Sequence, residues 1–254
     1  FFTWYNSLHM ISFFIKFVFI FSFIFLLNNC ATKPNDPTAN YNADQLYIEA
    51  RKFLDKSLFQ QAIDTYSKLE TRYPYGLYTQ HAKLEKAYAL WKFNNNLIEA
   101  ISSIDRFLAE FPNHKLTDYA LYLKGRIYFR DNLGISGLFG SEDLSDRDDS
   151  TMKESYNVFK ELIEKYPDSN YSDDARKRMI FIYQKLAKKE YEIAGYYHSI
   201  GSYIASANRL KYILEHYPKY NDQVAVLQLL KENYTKLELD DLAKNIDEII
   251  NSNL

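Results

Sequence analysis

The sequence predicts an all-α solenoid of about five helix pairs, and three observations carry that prediction. Four segments end in an aromatic residue followed by proline: Tyr73-Pro74, Phe111-Pro112, Tyr166-Pro167 and Tyr217-Pro218. Twelve, eight and five residues before each proline stand one small and two large apolar residues. These are Ala62, Tyr66 and Leu69; Ala100, Ile104 and Phe107; Ser155, Phe159 and Leu162; and Ser206, Leu210 and Ile213. Steps of three and four residues mark one face of an α-helix, and the proline stops that helix because it lacks an N–H and restricts the residue before it. The third observation is composition. Glycine (7) and proline (6) are scarce while tyrosine (23) and phenylalanine (18) abound, which suits helices with aromatic packing between them.

Residues 1–9 precede Met10, which reads as the true start, and are set aside from fold reasoning. Lys16 is followed by Phe17–Leu27, eleven residues without a charge, so residues 1–29 read as a signal peptide. A transmembrane anchor is the alternative, but it needs about 18 uninterrupted apolar residues and Lys16 breaks the run. The single cysteine closes Leu26-Leu27-Asn28-Asn29-Cys30, which resembles the lipobox of bacterial lipoproteins. There the cysteine is lipidated and becomes the mature N-terminus. Leu27 fits the position three before the cysteine, whereas Asn29 departs from the usual Gly, Ala or Ser. Ala31, where aspartate would favour the inner membrane, leaves outer-membrane sorting open. A buried or incidental Cys30 is the alternative, and one cysteine allows no internal disulfide. Residues 30–43 hold Pro34 and Pro37 without helical period and read as a flexible tether.

The folded part starts near Asp44. Leu46, Ala50 and Phe53 form the first apolar stripe, and Ala62 follows Ala50 by twelve residues. Paired short helices with small residues at the crossing, then an aromatic and a proline, are the tetratricopeptide pattern. Repeats 1 and 2 occupy 44–112, with Leu84, Ala87 and Trp91 on the first helix of the second. The interval from Pro74 to Pro112 exceeds the usual 34 residues by four, assigned to Tyr75–Tyr78. Repeat 3 spans 113–167; its first helix, about Thr117–Arg130, is followed by an inserted loop at 131–151 with three glycines and six acidic residues. Repeats 4 and 5 fill 168–254. Tyr171–Ser199 has no proline and predicts one helix of about 28 residues, with Tyr191, Ala194 and Gly195 at first-helix positions of repeat 4. The last helix carries Leu242, Ala243, Ile246, Ile249 and Ile250 and ends the stack.

The residues that carry chemistry elsewhere are not arranged for it here. A net charge of −2 makes no electrostatic case for nucleic acid. Gly134–Gly140 lacks the Gly-Lys-Ser/Thr ending of a phosphate loop. Asp146, Asp148 and Ser150 match the first calcium-loop positions, but Thr151 and Asn157 replace the required glycine and glutamate. The five histidines are scattered, with no His-Glu-x-x-His and no cysteine partner. No enzymatic activity, cofactor or metal is expected. A helix-pair solenoid instead offers surfaces for peptides and partner domains.

Several stretches are similar to the BamD family, the tetratricopeptide-repeat lipoproteins of the outer-membrane β-barrel assembly (Bam) machinery. They are Arg72-Tyr-Pro-Tyr-Gly76, Ile104-Asp-Arg-Phe107, Leu138-Phe-Gly140 with Ser145-Asp-Arg-Asp148, Leu186-Ala-Lys with Glu190-Tyr191 and Tyr196-Tyr197, and Asn208-Arg209. The resemblance implies an outer-membrane-anchored, periplasm-facing scaffold lipidated at Cys30. It implies C-terminal repeats that dock on a POTRA domain of BamA through Arg209 and Asn208, contacts with other Bam lipoproteins, and N-terminal repeats that receive unfolded outer-membrane β-barrel precursors at Tyr73, Tyr75 and Gly76. From the residues alone, Arg209 could equally be a solvated surface arginine and Tyr73 a helix-end packing residue. The rival expectation is a periplasmic repeat lipoprotein holding a cell-wall or polymer-export complex.

Overall fold

The computed structural model describes residues 36–93, 96–129 and 146–252. The signal-peptide expectation, the lipidation expectation at Cys30 and most of the inserted loop lie outside the described residues. The chain divides into two units, Phe1–Asn42 and Ala43–Leu254. In the first, the Asp36 carboxylate accepts from the Thr38 amide at 3.0 Å and the Thr38 hydroxyl at 2.7 Å, which closes a turn.

The second unit contains ten helices among the described residues and no strand. They are α1 (Ala43–Asp55), α2 (Phe59–Arg72), α3 (Leu77–Lys92), α4 (Leu97–Glu110), α5 (Thr117–Phe129), α6 (Asp146–Lys165), α7 (Ser172–Ser199), α8 (Tyr203–His216), α9 (Gln223–Lys236) and α10 (Asp240–Ser252). Each helix packs on the next, and first helices of neighbouring repeats also meet: α1 with α3, α3 with α5, α7 with α9. This is a tetratricopeptide-repeat solenoid of five helix pairs.

All twelve small and large positions counted back from the prolines are fully buried, from Ala62 to Ile213. The aromatic before each proline is the residue after the helix, with its N–H bonded to the carbonyl four residues back: Tyr73 to Leu69, Phe111 to Phe107, Tyr166 to Leu162 and Tyr217 to Ile213, all at 2.8–2.9 Å. Three of them share one backbone shape, with φ between −127° and −132° and ψ between 54° and 62°. Five residues beyond each proline, a polar side chain reaches back to the end of the preceding helix. Thr79 donates to the Tyr73 carbonyl, Ser172 to that of Tyr166 at 2.7 Å and Gln223 to that of Tyr217 at 2.7 Å. Thr117 donates to His114 at 2.7 Å and more weakly to Phe111 at 3.5 Å. The proline-to-clamp link therefore has one length at all four joints, so Tyr75–Tyr78 is not a local insertion in repeat 2.

Turns within repeats follow a second rule. The middle residue of the three-residue connection is left-handed in repeats 1, 4 and 5, at Ser57 (φ 57°), Gly201 (φ 78°) and Glu238 (φ 60°). Each is followed by an amide that bonds a carbonyl five residues back, Leu58 to Phe53, Ser202 to Tyr197 and Leu239 to Tyr234, the pattern of a left-handed helix stop.

The bound of the inserted loop needs correction. Residues 146–151, expected in the inserted loop, are the first turns of α6. Residues 145–151 hold neither glycine nor proline, so nothing in the stretch breaks a helix. Of Tyr191, Ala194 and Gly195, expected at first-helix positions of repeat 4, Ala194 is fully buried while Gly195 faces open space where a Cβ would go. The crossing in repeat 3 is made by Gly125, whose carbonyl accepts from the Ser155 hydroxyl at 2.9 Å. The expected 28-residue helix is present as α7 and serves two repeats. Near its start Asp174 accepts from the Tyr122 hydroxyl at 2.8 Å, and near its end His198 Nδ1 pairs with Asn233 Oδ1 at 2.8 Å.

Candidate functional site

Two surfaces hold the residues that the sequence singles out, one at each end of the stack. At the N-terminal end, Tyr73-Pro74-Tyr75-Gly76 forms the turn between α2 and α3. Tyr75 is 99% exposed, Leu77 beside it 62%, and Tyr73 and Tyr78 about one third. Gly76 immediately precedes α3, and its carbonyl accepts from the Thr79 and Gln80 amides. A Cβ at Gly76 would make only ordinary contacts and its φ is −98°, so the backbone does not demand glycine. The Thr79 clamp and the proline fix this corner, which presents an aromatic edge on a rigid support.

Behind the corner lies a polar hub that the sequence reading missed. Glu85 on α3 accepts from the Tyr47 hydroxyl at 2.9 Å and from the Tyr66 hydroxyl, and pairs with Arg51 at 3.3 Å. Burial, and then Glu85, push the Tyr66 phenol far above its ordinary range, so it stays a neutral donor. Tyr66 is the only polar-tipped residue among the four at its repeat position, and Glu85 explains why the core tolerates the hydroxyl. The available signal was a carboxylate directly after the buried Leu84. Tyr47 also meets Tyr78, with centroids 5.3 Å apart, so the hub and the exposed corner are mechanically joined.

At the C-terminal end, Asn208 and Arg209 are both exposed on α8. Arg209 Nη1 bonds Glu190 Oε2 on α7 at 2.9 Å, and the two side chains are 44% and 20% exposed. The guanidinium is thus held in one place while donors remain open to solvent. Tyr196, Ile200 and Ile204, at the turn between α7 and α8, are all more than half exposed. Ile204 and Asn208 share one face of α8 at a spacing of four residues, so Asn208 borders this apolar tract. The structure therefore separates Tyr73, Tyr75 and Gly76 from Asn208 and Arg209, and each group keeps its own exposed apolar surface.

Among the described residues no group of three or more His, Cys, Asp or Glu could hold a metal ion, and no helix is long and apolar enough to cross a membrane.

A family model described as "Outer membrane lipoprotein" (YfiO) matches residues 39–249. The outer membrane protein assembly factor BamD of Neisseria meningitidis serogroup B is 34% identical over 232 residues, 89% of this chain and 86% of the relative. That of Xylella fastidiosa Temecula1 is 33% identical over 254 residues, 99% and 84%. A solved tetratricopeptide repeat protein from Parabacteroides merdae aligns with a TM-score of 0.40 at 14% identity, covering 87% of this chain and 67% of its own. The chain belongs to this outer membrane lipoprotein family, the family of the BamD assembly factors.

Proposed function

We propose that this protein is a non-enzymatic scaffold for outer-membrane protein assembly, anchored at the outer membrane through a lipidated Cys30 and facing the periplasm. Its C-terminal repeats dock on a POTRA domain of BamA through Arg209 and Asn208, beside the exposed Tyr196–Ile204 tract. Its N-terminal repeats receive unfolded β-barrel precursors at the Tyr73–Gly76 corner, and other Bam lipoproteins join the same complex. The family membership carries the reading. Two features support the division of labour: the fully exposed Tyr75 on a clamped turn, and the Glu190-held guanidinium next to exposed apolar surface. Exposed aromatic and arginine residues on rigid supports are the usual anchors of protein recognition. Detergent co-purification with mass spectrometry tests it. BamA and the companion lipoproteins are expected in the eluate, and recovery of the protein without BamA would overturn the assignment.

A further inference from the structure

We propose that a cleft one to two turns further along α8 than Arg209 is a second peptide site. Its occupant is an extended segment of a partner protein in which an aromatic residue neighbours an aspartate or glutamate. The cleft lies between α6 and α8 over α7, with a volume of about 260 Å³. Sites for whole small-molecule ligands run from about 300 to 1,000 Å³, so this space suits one large side chain and its adjoining backbone.

Its walls are aromatic. Tyr212 and His216 stack at 4.1 Å with planes 19° apart, one turn along α8, and form a flat wall. Tyr183 meets Tyr217 edge-on at 5.2 Å, and Leu186 contributes to the floor. Aromatic faces and edges already fixed by each other accept another ring at little ordering cost.

Most polar groups on the rim can donate, and Asn157 brings both a donor and an acceptor. The Tyr183 oxygen already accepts from the Lys219 amide at 3.0 Å, which leaves its proton to give. Among the described residues, the hydroxyls of Tyr156 and Tyr212 and the ammonium of Lys153 have no acceptor, and no carboxylate lines the cleft. Glu215, 3.9 Å from His216 Nδ1, is 77% exposed beside it, and that nitrogen lies 3.2 Å from the Tyr212 carbonyl. These donors face solvent at the edge of an apolar slot, so a ligand carboxylate can take the place of water at ammonium and phenol together. Arg209, Tyr212 and His216 fall at i, i+3 and i+7 on α8, so the cleft continues the surface that Arg209 presents.

The test uses the full chain in detergent micelles and three fluorescein-labelled, end-blocked dodecapeptides in a Gly-Ser background. Their centres are Asp-Trp, Asn-Trp and Asp-Ala, and the readout is fluorescence anisotropy. The Asp-Trp peptide is expected to bind at least tenfold more tightly than either control. Lys153→Glu and Tyr212→Ala, both at exposed positions, are each expected to remove that preference while the circular dichroism spectrum stays unchanged. Equal binding of the three peptides, absence of Asp-Trp binding at millimolar concentration, or full binding by both variants overturns the site. Arg209→Glu serves as a separate arm. It is expected to disturb BamA recovery and not peptide binding, so failure of this site and failure of the docking proposal give different results.

Discussion

The Ser155 hydroxyl on α6 donates to the Gly125 carbonyl on α5 at 2.9 Å, and the two residues bring their helices together over the buried Phe159 ring. A Cβ built on Gly125 would stand 2.5–2.9 Å from three carbons of that ring. Gly125→Ala gains about 1 kcal/mol of helix propensity but overpacks a full core, at a cost of about 1–3 kcal/mol. A net destabilisation is expected, seen as a lower urea midpoint with an unchanged slope. A midpoint equal to or above that of the wild type would mean that the helices separate at no cost.

The left-handed turn residues predict the opposite sign. Glu238 occupies φ 60° where Gly201 stands at the equivalent turn of repeat 4. A side chain in that conformation costs about 1 kcal/mol that glycine avoids. Glu238→Gly is therefore expected to raise the melting temperature by a few degrees, and Gly201→Ala to lower it. Scanning calorimetry of the two variants checks both signs, and a fall for Glu238→Gly would contradict the conformational account.

What the sequence made legible was whatever obeys the helical period. Ala62, Ala100, Ser155 and Ser206, with the large residues four and seven positions on, are all buried as their spacing predicted. The joints were not legible. Their clamps are Thr79, Thr117, Ser172 and Gln223, three residue types placed by distance from a proline rather than by helix face. Nor could spacing tell Gly125 from Gly195, because which glycine is approached depends on the neighbouring helix. At the candidate sites, Tyr75 was readable as a turn residue without core spacing. Glu85 was hidden among many carboxylates. Glu190 as the partner of Arg209 was hidden by 19 residues of sequence and a turn between two helices.

The N-terminal repeats should lose stability in mild acid. His81 and His114 face each other at 6.1 Å across the joint between repeats 2 and 3. Burial holds both below the ordinary histidine range, His81 further by Lys115 and His114 by His81 and then Lys115. In the unfolded chain they titrate at about 6.5, so the unfolded state takes up protons first as pH falls. The stability present above that value is lost as pH drops through it and towards the depressed folded values. Denaturation curves at several pH values should show this decline, and it should flatten in a His81→Gln, His114→Gln double variant. An unchanged slope in the double variant would assign the decline to other groups.

Tyr75 allows the proposed precursor contact to be tested apart from folding. With its side chain 99% exposed, Tyr75→Ala should change stability by no more than about 0.5 kcal/mol. Photo-crosslinking of an unfolded outer-membrane β-barrel precursor to the N-terminal repeats should nevertheless fall several-fold in the variant. Full crosslinking with Tyr75 absent would remove this corner from the precursor path.

Arg209 and Glu190 allow a sharper test, because the arginine has a role inside the chain as well as its proposed one outside. Arg209→Glu breaks the 2.9 Å pair and sets two carboxylates against each other, so weakened BamA binding alone could come from a local distortion. The pair is partly exposed, and its loss should cost the fold less than about 1 kcal/mol. The exchange Arg209→Glu with Glu190→Arg restores an internal pair but reverses the charge that α8 presents. If Arg209 meets a carboxylate on the partner, the single and the exchanged variants should both lose co-purification with BamA. If the arginine only braces α8 against α7, the exchange should restore it. Recovery in the exchanged variant would therefore withdraw Arg209 from the interface, whereas loss in both, with melting temperatures near that of the wild type, assigns it a contact beyond its own chain.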